Sequence, residues 1–81
     1  MKITVKKEHI ARGRRANSKT CAVALAIKEA SPCDVYVHSA TCVVYRAGNR
    51  MSSALPRSAK RFIERFDLGK PVKPFTFTLK I

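Results

Sequence analysis

Residues 10–30 read Ile-Ala-Arg-Gly-Arg-Arg-Ala-Asn-Ser-Lys-Thr-Cys-Ala-Val-Ala-Leu-Ala-Ile-Lys-Glu-Ala, and the reading of their second half decides the fold. Within Thr20–Ala30, Val23, Leu25 and Ile27 alternate as they would in a strand. Alanines interleave with them, and Lys28-Glu29-Ala30 continue in residues that favour helix. The segment is therefore read as a helix, capped by Asn17 or Ser18 and ended by Ser31-Pro32. A helix this apolar needs cover almost all round, so the other elements are expected to pack on it.

On the N-terminal side, Lys2-Ile-Thr-Val-Lys6 alternates strictly and predicts a strand with Ile3 and Val5 inward. Lys7–Gly13 has room for one short helical turn around Ile10, broken at Gly13. On the C-terminal side, Asp34–His38 and Thr41–Arg46 predict a hairpin across Ser39-Ala40. Pairing His38 with Thr41 sets Val35 against Val44 and Val37 against Cys42. Ala47–Leu55, with Gly48, Asn49, Arg50 and two serines, reads as a loop.

Pro56 at a first helical position opens a further helix. Ala59, Phe62, Ile63 and Phe66 fall at i, i+3, i+4 and i+7 on its buried face. Gly69 caps that helix and Pro71 blocks its continuation. Finally Phe75-Thr-Phe-Thr-Leu-Lys-Ile81 alternates throughout, with Phe75, Phe77, Leu79 and Ile81 directed at the core. Strand, helix, strand, strand, helix, strand predicts an α+β fold: a β-α-β-β-α-β two-layer, ferredoxin-like sandwich. Its four-stranded antiparallel sheet would carry two helices on one face, in one domain over residues 1–81.

Composition narrows the function classes. A hydrophobic share of 46% against 27% charged residues marks a folded chain. Seventeen Lys and Arg against five Asp and Glu give +12, a field that draws polyanions. No apolar run reaches the roughly 18 residues of a membrane span, and no apolar leader core is present, so neither a membrane partner nor secretion is expected. Three cysteines without paired short spacing fit reduced thiols, and neither a metal site nor any other cofactor is expected. His9 and His38 are isolated and Ser52-Ser53 lacks a nucleophile context, so no enzyme is expected.

The charge is uneven. Residues 1–19 carry seven basic and one acidic side chain, and residues 56–81 carry seven and two, while the middle is nearly balanced. Lys6, Lys7, Arg12, Arg14, Arg15 and Lys19 lie before or within the basic connector. Arg57, Lys60, Arg61 and Arg65 lie on the polar face of the second helix, and Arg50 in the predicted loop. Together these eleven are the candidate phosphate-binding residues, since arginine grips phosphate oxygens with paired hydrogen bonds. Gly13 between arginines would let backbone amides approach an anion closely. A second candidate surface is an uncovered sheet face bearing Lys2, Thr4, Lys6, Tyr36, Tyr45, Thr76, Thr78 and Lys80, where two tyrosines among lysines would suit base stacking.

The stretches KEHIARG (residues 7–13), CAVALAIKEA (21–30) and LPRSAKRFIERFDLGKPVKPFTFTL (55–79) resemble small uncharacterised proteins encoded by bacteriophages. In that family a second cysteine often precedes the first helix by three residues and a proline begins the helix; here Ser18 and Ala22 stand there. A ligand pair is thereby missing. The resemblance implies a viral protein acting in the host cytoplasm and transfers no activity. Two functions follow as expectations: a non-enzymatic protein binding nucleic acid, DNA or RNA, through its basic surface, or a modulator docking on an acidic host protein such as a polymerase, nuclease or defence complex. An edge strand would also permit a homodimer.

Overall fold

The structure is a computed structural model that describes residues 1–31, 33–38 and 40–80. Pro32, Ser39 and Ile81, each used in the sequence reading, lie outside the described residues. The elements run β1 (Lys2–Val5), α1 (Lys7–Arg12), α2 (Ala22–Ala30), β2 (Asp34–Val37), β3 (Thr41–Arg46), β4 (Asn49–Ala54), α3 (Arg57–Asp67) and β5 (Phe75–Thr78).

The fold is α+β, but its strands form two antiparallel sheets, a pair β1-β5 and a triple β2-β3-β4. The expected single four-stranded sheet with two helices is corrected on both counts, because α1 is a third helix. The reason for the split lies in β4. Asn49–Ala54, read as loop, pairs with β3 from Arg46↔Asn49 to Thr41↔Ala54, so both edges of β3 are taken. The remaining edge of β2 receives the connector, since Val37 N–H donates to the Ser18 carbonyl at 2.8 Å. β1 then has no hairpin strand to join, and it pairs with β5 alone, Ile3 opposite Phe77.

Between β3 and β4 the chain reverses at Ala47 and Gly48, with φ of 51° and 79°. Two successive residues at positive φ make the mirror-image turn whose twist suits a two-residue hairpin. Alanine in the first of these positions hides the turn from a search for Asn-Gly. The β2-β3 register agrees with the sequence reading: Val35 faces Val44, Val37 faces Cys42, and His38 N–H donates to the Thr41 carbonyl at 2.8 Å.

Helix α2 is the centre of the core. Ala22, Val23, Ala24, Ala26 and Ile27 are all buried, and the helix packs on both β1 and β2. Its alanines let strands of both sheets lie close against it, while Leu25 and Lys28 stay half-exposed and Glu29 and Ala30 face outward. It begins two residues later than predicted, and its cap is Cys21, whose Sγ accepts from Ala24 N–H at 3.5 Å. Asn17 instead organises the loop before it, its Oδ1 accepting from Lys19 and Thr20 N–H at 3.0 Å each. Ile3, Val5, Phe77 and Leu79 of the paired strands, Val35, Val37, Cys42 and Val44 of β2 and β3, Leu55, and Ala59, Phe62, Ile63 and Phe66 of α3 join α2 in the core.

Pro56 is the N-cap of α3, which therefore starts at Arg57, one residue later than predicted, and the buried stripe Ala59, Phe62, Ile63 and Phe66 is as read. At the far end Gly69, at φ +75°, donates to the Phe66 carbonyl while Lys70 N–H donates to that of Arg65. That pair of bonds closes a Schellman cap, where glycine avoids the left-handed penalty.

Candidate functional site

The Schellman cap sends residues 70–74 back beside α3 toward β5. This return segment, Lys70-Pro71-Val72-Lys73-Pro74, is held to the helix by Arg65, whose Nη2 donates to the Pro71 carbonyl at 3.2 Å. Two prolines fix φ along it and remove two donors. Between helix and segment runs a groove of about 530 Å3 bordered by Arg57, Arg61, Arg65 and Lys73. Arg57, Arg61 and Arg65 stand four residues apart and so share one flank of the helix. The floor is apolar, formed by Phe62, Val72, Pro71, Pro74 and Phe75, and no acidic side chain lines the groove.

Two neighbouring depressions share walls with this groove. On one side Pro71 and Val72 also border a hollow with Ile10, Arg15, Phe66, Gly69 and Lys70. Arg15 lies over the cap there: a methyl group on Gly69 would stand 2.5 Å from its Nη1. On the other side Pro74 and Phe75 border a hollow with Thr4, Lys6, Lys7 and Glu8. Arg15 and Lys70, the four groove cations, and Lys7 thus follow one another along a band that crosses the return segment.

The sequence-predicted residues therefore sort into separate places. Arg57, Arg61 and Arg65 meet in the groove, and Arg15 and Lys7 flank it. Lys60 does not join them; helix spacing puts it on a different flank of α3, and it is absent from the groove lining. Lys19 and Arg50 belong to the face of the triple sheet. Lys19 Nζ stands 5.3 Å from the Tyr36 ring, Tyr36 meets Tyr45 edge-on at 5.7 Å, and Arg50 is directly opposite Tyr45 on β4. The expected continuous stacking face is corrected, because Lys2, Thr4, Thr76 and Thr78 sit on the other sheet.

Lys6 is committed elsewhere. Its Nζ lies 3.1 Å from Glu29 Oε1, and that hydrogen bond raises the lysine above its ordinary range and holds the carboxyl below its own. Glu29 is also bonded to Nε2 of the buried His9, whose Nδ1 accepts from Lys6 N–H at 2.9 Å. With Nδ1 accepting, the ring proton resides on Nε2; the Nδ1 bond closes the first turn of α1, and the Nε2 bond ties α1 to α2.

In the connector Arg12-Gly13-Arg14-Arg15 the amides of Gly13 and Arg14 are already committed. Gly13 N–H donates to the His9 carbonyl and Arg14 N–H to that of Thr20, at 2.8 and 3.0 Å, so neither amide is free for an anion. Ala16 N–H donates to Asp67 Oδ1 at 2.9 Å. Gly13 is required for packing: a Cβ there would meet Ala22 N at 2.6 Å and Ala22 Cα at 2.9 Å. Arg12 and Arg14 are exposed beside this joint and line none of the depressions around the groove.

Cys21, His38 and Asp67 gather around a small cavity of about 200 Å3. Burial pushes the Cys21 thiol up, away from the thiolate a nucleophile or ligand requires. Cys33 and Cys42 are raised by burial as well. Among the described residues no helix is long and apolar enough to cross a membrane.

Sequence reasoning missed Lys70, Lys73 and the apolar floor. The doubled Lys-Pro of Lys70-Pro71 and Lys73-Pro74 was the available signal: a stiff segment presenting cations at short intervals. Comparisons with protein-family models, with curated proteins and with solved structures return no match for this chain.

Proposed function

We propose that this chain is a non-enzymatic nucleic-acid-binding protein that grips phosphates along the α3 groove. One observation carries the reading: Arg57, Arg61, Arg65 and Lys73 converge on a groove lined by no carboxylate, in a chain of net charge +12. Self-repulsion among four cations weakens the fold unless anions meet them, and guanidinium groups match phosphate oxygens in geometry as well as charge. Arg15, Lys70 and Lys7 extend the band on which a backbone would lie. A binding role also agrees with the chemistry of the other candidates, since His9 is used structurally and the thiols are held protonated. We propose in addition, from the resemblance alone, that it acts in the cytoplasm of an infected host.

The test is an electrophoretic mobility shift with mixed-sequence DNA and RNA at low salt. Retarded complexes that dissolve as salt rises are expected. No shift with either nucleic acid sinks the reading. A pull-down from nuclease-treated host lysate addresses the rival, a modulator docked on an acidic host protein. A stoichiometric protein that survives nuclease would favour that rival.

A further inference from the structure

The floor of the groove is not what phosphate binding alone requires. Phosphates need donors, whereas Phe62, Val72, Pro71, Pro74 and Phe75 offer an apolar surface between the cations. The aromatic side chains form a row: Phe66 stacks on Phe62 at 5.9 Å, Phe62 meets Phe75 at 4.7 Å, and Phe75 stacks on Phe77 at 5.5 Å. Phe62, Phe66 and Phe77 are buried, and Phe75 is the member left half-exposed. It borders both the groove and the hollow beyond it. A planar group laid on the exposed part of Phe75 would add one more ring to this aromatic cluster.

We propose that the groove binds single-stranded nucleic acid, seating an unpaired base against Phe75 while flanking phosphates meet Arg57, Arg61, Arg65 and Lys73. This rests on the phosphate-binding reading and goes further, to the strandedness of the ligand. A duplex keeps its base faces stacked inside and shows a protein only phosphates, sugars and base edges. Docked here, it would dehydrate the apolar floor with nothing apolar to set against it. A single strand supplies both chemistries at alternating positions, and every base has a face to stack, so little sequence preference is expected. The groove volume lies within the range of roughly 300–1,000 Å3 typical of small-molecule sites, room enough for a base. An acidic peptide matches the charges and leaves the aromatic row unused. Stiffness from Pro71 and Pro74, and the Arg65 bond to the Pro71 carbonyl, set the groove before the ligand arrives.

Fluorescence anisotropy decides the matter with three labelled probes of equal phosphate count: an oligothymidylate of about a dozen nucleotides, within the usual footprint of such sites, its abasic counterpart, and a blunt duplex. The oligothymidylate is expected to bind about five- to a hundred-fold more tightly than the abasic strand, the value of one good base–aromatic stack. Phe75→Leu, which keeps an apolar side chain against Phe62 and Phe77, should erase that margin while leaving abasic and duplex binding unchanged. Phe75→Tyr should preserve it. Equal binding of all three probes, or a margin that survives Phe75→Leu, overturns the single-strand proposal and leaves the phosphate-binding reading standing. Failure of every probe to bind at low salt overturns both. If Phe75→Leu does not fold by circular dichroism, the oligothymidylate-to-abasic ratio of the unaltered protein decides alone.

Discussion

Removing three groove cations should change the salt dependence of binding, and not merely its strength. Arg57, Arg61 and Lys73 are exposed and make no hydrogen bond to the protein among the described residues, so glutamine at each leaves the fold intact. Arg65 is spared because it holds the return segment through Pro71. If the four groove cations each displace one counterion from a single strand, log K falls with log salt at a slope of about −3. Between about 50 and about 200 mM salt that slope costs about fifty-fold in affinity. In Arg57→Gln/Arg61→Gln/Lys73→Gln only Arg65 of these four remains, and the groove's share of the slope should shrink to about −0.7, a loss of only about two- to three-fold over the same range. The matched control is Lys2→Gln/Lys60→Gln/Lys80→Gln, which removes three charges from the same +12 at positions outside the groove. It should keep the steep slope. Anisotropy titrations at four or more salt concentrations measure both. Equal slopes in the two variants would mean that net charge, not the groove, governs binding, and the site assignment would be wrong.

Three further predictions concern the frame that holds the groove. Gly13→Ala sets a methyl group against the backbone of Ala22, and overpacking of that kind should cost about 1–3 kcal/mol, read as a lower urea midpoint at unchanged m-value; an unchanged midpoint would refute the tight joint. Ala47→Asn replaces an alanine held at φ 51° by the residue that best tolerates that conformation before glycine. It should raise stability by a few tenths to about 1 kcal/mol, read as a higher melting temperature. The lowered carboxyl of Glu29 contributes stability that is present above its ordinary value of 4.5 and is lost as pH falls through the depressed value. Glu29→Gln should therefore flatten the acid limb of the stability–pH curve below about 4.5, and a variant that keeps the full acid limb would show that other carboxylates produce it.

Local pattern disclosed some elements and missed others for identifiable reasons. The α3 stripe and the β2-β3 register were legible because each buries one face, so period alone fixes orientation. The polar β4 gave no such signal. Asn49-Arg-Met-Ser-Ser-Ala54 has only Met51 and Ser53 half-buried, and it is a strand because β3 offers an edge and the Ala47-Gly48 turn delivers the chain to it. Missing that single strand left four strands to be joined in one sheet, whereas β4 takes the edge of β3 and leaves β1 and β5 to pair alone. Strand identity here is set across the pairing, and tertiary context outweighs propensity in such polar edge strands.

The site shows the same limit at the level of charge. Arg57, Arg61 and Arg65 were legible as neighbours because helix spacing places them together. Nothing local joins them to Lys73 or to Arg15. That junction exists because β5 must return to pair with β1, which forces the Lys-Pro segment alongside α3, and because the Gly69 cap lets Arg15 lie across it. The connector, conspicuous in the sequence for its density of arginine, contributes mainly a packed joint at Gly13 and one side chain to the band. Long basic side chains carry their charge far from their own backbone. A run of arginines therefore marks where chains emerge, and only the path of the backbone decides where their charges meet.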